Sequence, residues 1–175
     1  DKKIADKAKI MRDHGMSLQK KYWHEFAGVN FRMTNMQAAI GVAQLKRIDS
    51  FLSQRKSVFK RYDKNFKSND QLSLLPNNRW SENSYWLYTL LLKEFTEQKR
   101  DKLLKTLSGR GIDARPGFYP LHKMPPYKKY SDGSDYPISS FLGSSLINLP
   151  SSPSLSSDEV DHIAQIVINE LEMLK

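Results

Sequence analysis

The sequence predicts an α/β protein in which a small, mostly antiparallel sheet packs on helices. Residues 34–66 keep an apolar stripe at helical spacing, which predicts a long helix or two helices in tandem. Residues 85–92 are rich in aromatic and β-favouring side chains, which predicts a strand. This strand opens a strand–helix–strand unit, and a loop, a last strand and a last helix follow in order. This order favours a layered arrangement of helices on a sheet.

The first third of the chain is predicted to be helical on either side of a polar loop. Residues 2–12 carry apolar side chains at helical spacing, and Gly15 is a natural stop. Thr34 and Gln37 have the spacing of a capping box, so a new helix is expected to begin at Thr34. Small side chains near the start of this helix would let another element approach closely: Ala38, Ala39, Ile40 and Ala43.

The rest of the chain supplies the predicted sheet and its covering helices. The strand at residues 85–92 is nearly all apolar, so both of its faces are expected to be covered, with Trp86 as a packing residue. Residues 116–137 contain five prolines and are interpreted as a long loop, which is often functional. The other predicted elements are a short strand at 72–75, a helix from a Thr96 cap through Leu107, a strand at 112–115, a strand at 144–149, and a closing helix that begins with a Ser156–Glu159 capping box.

Composition restricts the classes of function. The 175 residues carry a net charge of +9, which permits nucleic acid, an acidic membrane surface or a phosphorylated small molecule as a partner. The basic residues are dispersed, which weakens the case for nucleic acid. Cysteine is absent, which excludes disulfides, thiolate zinc sites and cysteine nucleophiles and fits a cytoplasmic location. No apolar run reaches the length of a membrane span, and no signal peptide is visible.

Two stretches carry the candidate binding chemistry. Asn30 and Arg32 precede a capped helix start, and an amide and a guanidinium at that place predict an anion site. Residues 20–24 form a basic-aromatic cluster that could stack on a base and meet a phosphate, or equally be a loop anchored by a half-buried Trp23. The histidines lack the spacing of metal ligands, so no metal site is predicted: His14, His24, His122 and His162.

Three motifs, in order, resemble the DegT/DnrJ/EryC1/StrS family of nucleotide-sugar aminotransferases, which use pyridoxal phosphate (PLP). They are RDHGM at residues 12–16, NFRMTNMQAA at 30–39 and RPGFYPLH at 115–122. The run KYWH at 21–24 resembles the perosamine synthase branch of that family. The resemblance covers nearly the whole chain and implies the C-terminal part of a fold type I aminotransferase. Residues 1–50 would be the tail of the large cofactor domain, and residues 51–175 the small C-terminal domain.

The resemblance also implies roles for individual side chains. Asn30 would hydrogen-bond the PLP phosphate, with Arg32 close to the phosphate or the substrate, whereas the structural alternatives are a loop-closing Asn and a surface Arg. Arg115 would reach toward the sugar nucleotide or form an ion pair at a strand end. Tyr119 and His122 lie in the proline-bounded loop, where they would contact substrate or hold the loop. The nucleotide end would meet Tyr22, Trp23 and His24, and Lys20 and Lys21 would lie near the diphosphate.

The implied reaction is transfer of an amino group from glutamate to a GDP-linked 4-keto-6-deoxy sugar in a homodimer with shared active sites. No lysine of this chain lies in the family's motif for the lysine that binds PLP, so no catalytic residue is nominated. That lysine is expected upstream, and the segment alone is expected to be inactive. A sister dehydratase activity stays open, because it depends on whether His replaces the lysine that is missing from this chain. The alternative from a different class is a basic, non-enzymatic domain that binds RNA or an anionic surface.

Overall fold

A computed structural model describes residues 1–131, 133–134 and 136–174. The chain divides into two compact units, Asp1–Ile48 and Asp49–Lys175. The functional meaning predicted for the two parts of the chain, a cofactor-domain tail and a small domain, stays a prediction.

The first unit contains two helices joined by a long irregular segment. Helix α1 spans Lys2–Met11 and begins at Asp1, whose carboxylate accepts a hydrogen bond from the Lys3 N–H. Helix α2 spans Asn35–Leu45, and both hydrogen bonds of the predicted Thr34–Gln37 capping box are present. Neither helix buries a residue. The apolar side chains of α2 are exposed in the single chain: Met36, Ile40, Val42 and Leu45.

The second unit is built on a four-stranded sheet in which all neighbours are antiparallel. Its strands are β1 (Leu72–Leu74), β2 (Tyr88–Leu92), β3 (Arg115–Pro116) and β4 (Leu146–Leu149), in the order β1-β2-β4-β3. Tyr88 lies opposite Leu149, and Leu90 lies between Leu74 and Ile147. The predicted small antiparallel sheet packed on helices is therefore confirmed.

Helices cover the apolar face of this sheet. They are α3 (Ile48–Phe66), α4 (Glu97–Gly109), α5 (Pro137–Ser145) and α6 (Ser157–Met173), with two 3-10 turns at Leu121–Lys123 and Lys128–Tyr130. Alternate residues of β2 are fully buried, and they share one core with the apolar stripes of α3, α4 and α6. The Thr96 cap of α4 and the Ser156–Glu159 capping box of α6 form as predicted.

The structure corrects the prediction for residues 85–92. The strand begins at Tyr88, because Tyr85 adopts a left-handed backbone with φ of 53° that no strand contains. The strand buries alternate residues rather than both faces. The interpretation of Trp86 as a packing residue is wrong, since its side chain is 63% exposed.

Two further differences concern the second half of the chain. The strand predicted at residues 112–115 is only Arg115–Pro116 in the structure, and the Ile112 N–H still donates to the Leu107 carbonyl at the end of α4. Helix α5 starts at Pro137, the last residue of the predicted loop, and includes Ser144 and Ser145, the first two residues of the strand predicted at 144–149. Proline is favourable at the first position of a helix, so Pro137 marks a start rather than a loop.

Candidate functional site

The segment that carries Asn30 and Arg32 is held against the end of α1. The His14 N–H donates to the Val29 carbonyl at 3.0 Å, and the Val29 N–H donates to the Met11 carbonyl at 2.8 Å. The Phe31 N–H donates to the Arg12 carbonyl, also at 2.8 Å. The loop before α2 therefore has a defined backbone, although its side chains are exposed.

Two glycines make this close approach possible. Gly15 has a φ of +69°, and a Cβ at this position would lie 2.0 Å from the Phe26 carbonyl oxygen. A Cβ on Gly28 would lie 2.1 Å from the backbone nitrogen of Gly15. Both contacts are with rigid backbone, so no side chain fits at either position.

Asp13 connects the side chains that surround Asn30 and Arg32. Its Oδ1 lies 3.1 Å from His14 Nδ1 and 3.6 Å from the Arg32 guanidinium. The Arg32 backbone N–H donates to Asn30 Oδ1 at 3.3 Å. Because this contact uses the Asn30 oxygen as an acceptor, its NH₂ group is directed elsewhere and serves as a donor. Sequence reasoning did not single out Asp13, although it lies within the RDHGM motif.

These residues fit the phosphate end of PLP. The Asn30 amide and the Arg32 guanidinium are both donors, and the Arg32 side chain is 66% exposed and can turn to a ligand. They lie just before the N-terminus of α2, where backbone N–H groups favour a negative charge. The carboxylate of Asp13 offsets part of this positive charge. Their assignment to the cofactor stays a prediction.

The predicted basic-aromatic cluster is arranged as cation–ring pairs. Lys20 Nζ lies 4.3 Å from the centre of the Trp23 ring, and Lys21 Nζ lies 5.1 Å from the centre of the Tyr22 ring. Tyr22 has a left-handed backbone with φ of 63°, and both aromatic side chains are exposed. His24 is engaged differently, since its Nδ1 lies 2.9 Å from the His14 carbonyl oxygen. This contact brings His24 next to the Asp13 cluster.

Arg115 pairs with a carboxylate on its own strand end. Its guanidinium donates to Asp113 Oδ2 at 2.7 Å, and both side chains are about three-quarters exposed. The hydrogen bond, and then the charge, of Arg115 lower the pKa of Asp113. The ion pair predicted as the alternative role of Arg115 is thus present. Because this pair is exposed, Arg115 stays accessible to a ligand.

Tyr119 and His122 are both held by side-chain contacts. His122 Nε2 lies 3.2 Å from the Ser140 hydroxyl of α5, and its ring lies 4.7 Å from the ring of Tyr136. The Tyr119 hydroxyl accepts a hydrogen bond from Arg100 at 3.3 Å. The predicted substrate loop is therefore attached to α4 and α5.

Arg100 is the part of this region that sequence reasoning missed. Its side chain is fully buried, and it donates to the Gly143 carbonyl at 2.6 Å and to Asp101 Oδ1 at 2.8 Å. A signal for it exists in the sequence, since Arg100 shares the helical stripe of the buried residues Leu103 and Leu107. A charged residue in a buried stripe needs several polar partners, and here they join α4, the loop and α5.

The described part of the chain offers neither a metal site nor a membrane-spanning helix. Histidine, aspartate and glutamate side chains of residues 1–131, 133–134 and 136–174 form no group of three that could hold a metal ion. Within the same residues, no helix combines the length and the apolarity that a membrane crossing requires.

Comparison with known proteins identifies relatives of the chain. It is 37% identical over 168 residues to the GDP-perosamine synthase of Escherichia coli O157:H7 and 35% identical over 171 residues to that of Vibrio cholerae. These matches cover 95% of the chain but 44% and 45% of the two relatives, so the chain spans less than half of their length.

Solved structures agree with this relationship. Helicobacter pylori PseC, an aminotransferase of pseudoaminic acid biosynthesis, matches 99% of the chain with a TM-score of 0.89 and 26% identity, over 47% of its own length. A Streptococcus pneumoniae protein in its PLP form matches the whole chain with a TM-score of 0.88 and 26% identity, over 45% of its own length. The predicted α/β fold of the fold type I aminotransferases and PLP as the family's cofactor are confirmed. A model of the DegT/DnrJ/EryC1/StrS aminotransferase family matches residues 1–168, and the chain belongs to that family.

Proposed function

We propose that the chain is the C-terminal portion of a PLP-dependent aminotransferase that acts on a nucleotide-linked sugar. The amino group would come from glutamate, and the acceptor would be a 4-keto-6-deoxy sugar on GDP. The observation that carries the proposal is the loop before α2, which backbone hydrogen bonds hold against the end of α1. This loop presents Asn30 and Arg32 at a capped helix start. The similarity to GDP-perosamine synthases supports the choice of GDP and of the keto sugar.

The residues of the chain bind and orient in this proposal. When bound, PLP supplies the electron sink that lets an amino group pass between two substrates. The Asn30 NH₂ donates to the phosphate, and Arg32 supplies a positive charge to the phosphate or to the substrate. Asp13 keeps the guanidinium of Arg32 near the loop, at 3.6 Å, until an anion arrives. In the second unit, Arg115, Tyr119 and His122 contact the sugar nucleotide.

The chain needs further parts to complete this chemistry. The lysine that binds PLP lies outside these 175 residues, and the segment alone is inactive. The complete enzyme is a cytoplasmic homodimer in which the loop of residues 28–34 reaches the active site of the neighbouring subunit. This assembly would also cover the apolar side chains of α2 that are exposed in the single chain.

Transfer of labelled nitrogen tests the proposal. The complete protein that contains this chain is incubated with PLP, ¹⁵N-glutamate and GDP-4-keto-6-deoxymannose, and the GDP-sugar is analysed by mass spectrometry. We expect ¹⁵N in an aminated GDP-sugar. A PLP-loaded protein that leaves the sugar unlabelled, or dehydrates it, would refute the proposal.

Two variants test the residues at the phosphate. Asn30→Ala and Arg32→Ala each remove a donor to a charged group, which is worth about 1.5–3 kcal/mol, or roughly ten- to hundredfold in binding. We expect Asn30→Ala to weaken PLP binding. We expect Arg32→Ala either to weaken PLP binding or to raise the KM for the sugar nucleotide. Arg79→Ala removes an exposed guanidinium in the β1–β2 connection and serves as the matched control. Equal values for Arg32→Ala and Arg79→Ala would remove Arg32 from the site.

A further inference from the structure

Trp86 and Phe118 form a stacked pair of exposed aromatic rings in the second unit. Their ring centres lie 6.3 Å apart, and the planes are tilted by 29°. The side chain of Trp86 is 63% exposed and that of Phe118 is 74% exposed. Together the two rings present a larger apolar surface than either ring alone.

The backbone of Trp86 is fixed although its ring is exposed. Its carbonyl accepts two hydrogen bonds, from the Arg55 guanidinium at 2.9 Å and from the Ser151 hydroxyl at 2.8 Å. The preceding residue, Tyr85, has a left-handed backbone with φ of 53°, and its N–H donates to Asn83 Oδ1 at 2.7 Å. A non-glycine residue pays a conformational cost in this region, and such strain concentrates at binding sites.

Phe118 is also presented from a fixed position. It follows Gly117, whose N–H donates to the Leu146 carbonyl at 2.8 Å. A Cβ on Gly117 would lie 2.5 Å from the Leu146 Cβ, so the chain is pressed against β4 just before the ring. Packing and hydrogen bonds thus fix the backbone that carries each ring. A preorganised binding surface requires such a fixed backbone.

A cation lies on the same segment. Arg115, on β3, is three residues before Phe118, so the two Cα atoms are at most about 11 Å apart. Its guanidinium is exposed and could meet a phosphate. A planar π surface beside an arginine suits a ligand that has both a flat aromatic ring and an anionic group. A nucleotide combines these features.

We propose that Trp86 and Phe118 are a stacking platform for the base of a purine nucleoside diphosphate, whose phosphates face Arg115. The inference rests on the proposed function, because it assigns the nucleotide part of that substrate to a place on the second unit. The platform recognises the base by its flat face and contributes affinity rather than chemistry.

Binding of GDP and of pyrophosphate separates base recognition from phosphate recognition. Dissociation constants for both are measured by calorimetry with the complete protein that contains this chain. Trp86→Ala and Phe118→Ala are expected to weaken GDP binding about tenfold, as loss of one stacked base contact does, and to leave pyrophosphate binding unchanged. Trp86→Phe keeps an aromatic face and is expected to retain most of the affinity.

The control is Trp80→Ala, which removes another exposed tryptophan from the same β1–β2 connection. If Trp86→Ala and Trp80→Ala bind GDP with the same affinity, the proposed stacking platform is overturned. It is also overturned if the wild-type protein binds no GDP. An equal loss for GDP and pyrophosphate also overturns it, because the effect would then not concern the base. The aminotransferase proposal is decided separately by the ¹⁵N transfer: labelled sugar with unchanged GDP binding refutes the platform alone, and base-dependent binding without transfer refutes the aminotransferase alone.

Discussion

Replacement of Arg100 by methionine is predicted to destabilise the second unit. Methionine keeps most of the side-chain volume, so the change removes mainly the polar contacts of a fully buried guanidinium. The 2.6 Å hydrogen bond to the Gly143 carbonyl is the largest loss, because that buried oxygen is left without its donor at a cost of about 1–3 kcal/mol.

The ion pairs of Arg100 contribute less than its burial suggests. The side chains of Glu97 and Asp101 are 50% and 55% exposed, so water replaces the guanidinium and each pair is worth about 0–1 kcal/mol. Removing a buried charge also relieves its desolvation, which offsets part of the loss. The expected net loss in the free energy of unfolding is about 2 kcal/mol.

Urea unfolding followed by circular dichroism measures this loss. Arg100→Lys keeps the charge but reaches fewer partners, so we expect an intermediate value of about 1 kcal/mol. Lys105→Met makes a comparable change at an exposed position of the same helix and is expected to stay within about 0.5 kcal/mol of wild type. If Arg100→Met is as stable as Lys105→Met, the buried guanidinium does not hold α4, the loop and α5 together as described.

Two further predictions concern stability. A Cβ on Gly143 would lie 2.5 Å from the Pro120 ring, so Gly143→Ala should lower the free energy of unfolding by about 1–3 kcal/mol, whereas Gly109→Ala, which has open space around it, should change it little; equal urea midpoints would contradict the close packing. Hydrogen bonds from Arg61 and Asn65 lower the pKa of Asp161 below its ordinary value of 3.8. The contribution of Asp161 to the free energy of unfolding is therefore present above about pH 4 and is lost as the pH falls through the lowered pKa. Asp161→Asn should therefore be less stable than wild type at pH 7, with a smaller difference at pH 3, and a difference that is the same at both pH values would refute this assignment.

Local rules explain which elements the sequence predicts well. The capping boxes at Thr34 and Ser156 and the apolar stripes of α3 and α6 depend on neighbours within one or two turns, so they are visible without tertiary information. The start of β2 depends instead on Arg55, which is distant in sequence. Its guanidinium donates hydrogen bonds to the carbonyls of Tyr85 and Trp86. A run of aromatic residues therefore overstates the length of this strand.

The candidate site shows the same division. The motif around Asn30 and Arg32 identifies the anion-binding loop, but its contact with Asp13 arises from backbone pairing between distant segments. Arg100 lies outside every motif. Its role in joining α4, the loop and α5 depends on its burial, and periodicity alone would predict an apolar residue at this buried position. The exposure of Trp86 could not be predicted, because it depends on the backbone turn at Tyr85.

The position of the lysine that binds PLP decides whether this chain is the C-terminal portion of the enzyme. The complete protein that contains this chain is mixed with PLP and reduced with borohydride, and modified lysines are mapped by peptide mass spectrometry. We expect one stoichiometrically modified lysine, outside these 175 residues, and no stoichiometric modification when this chain is treated alone. A unique modified lysine within residues 1–175, or none in the complete protein, would refute this expectation.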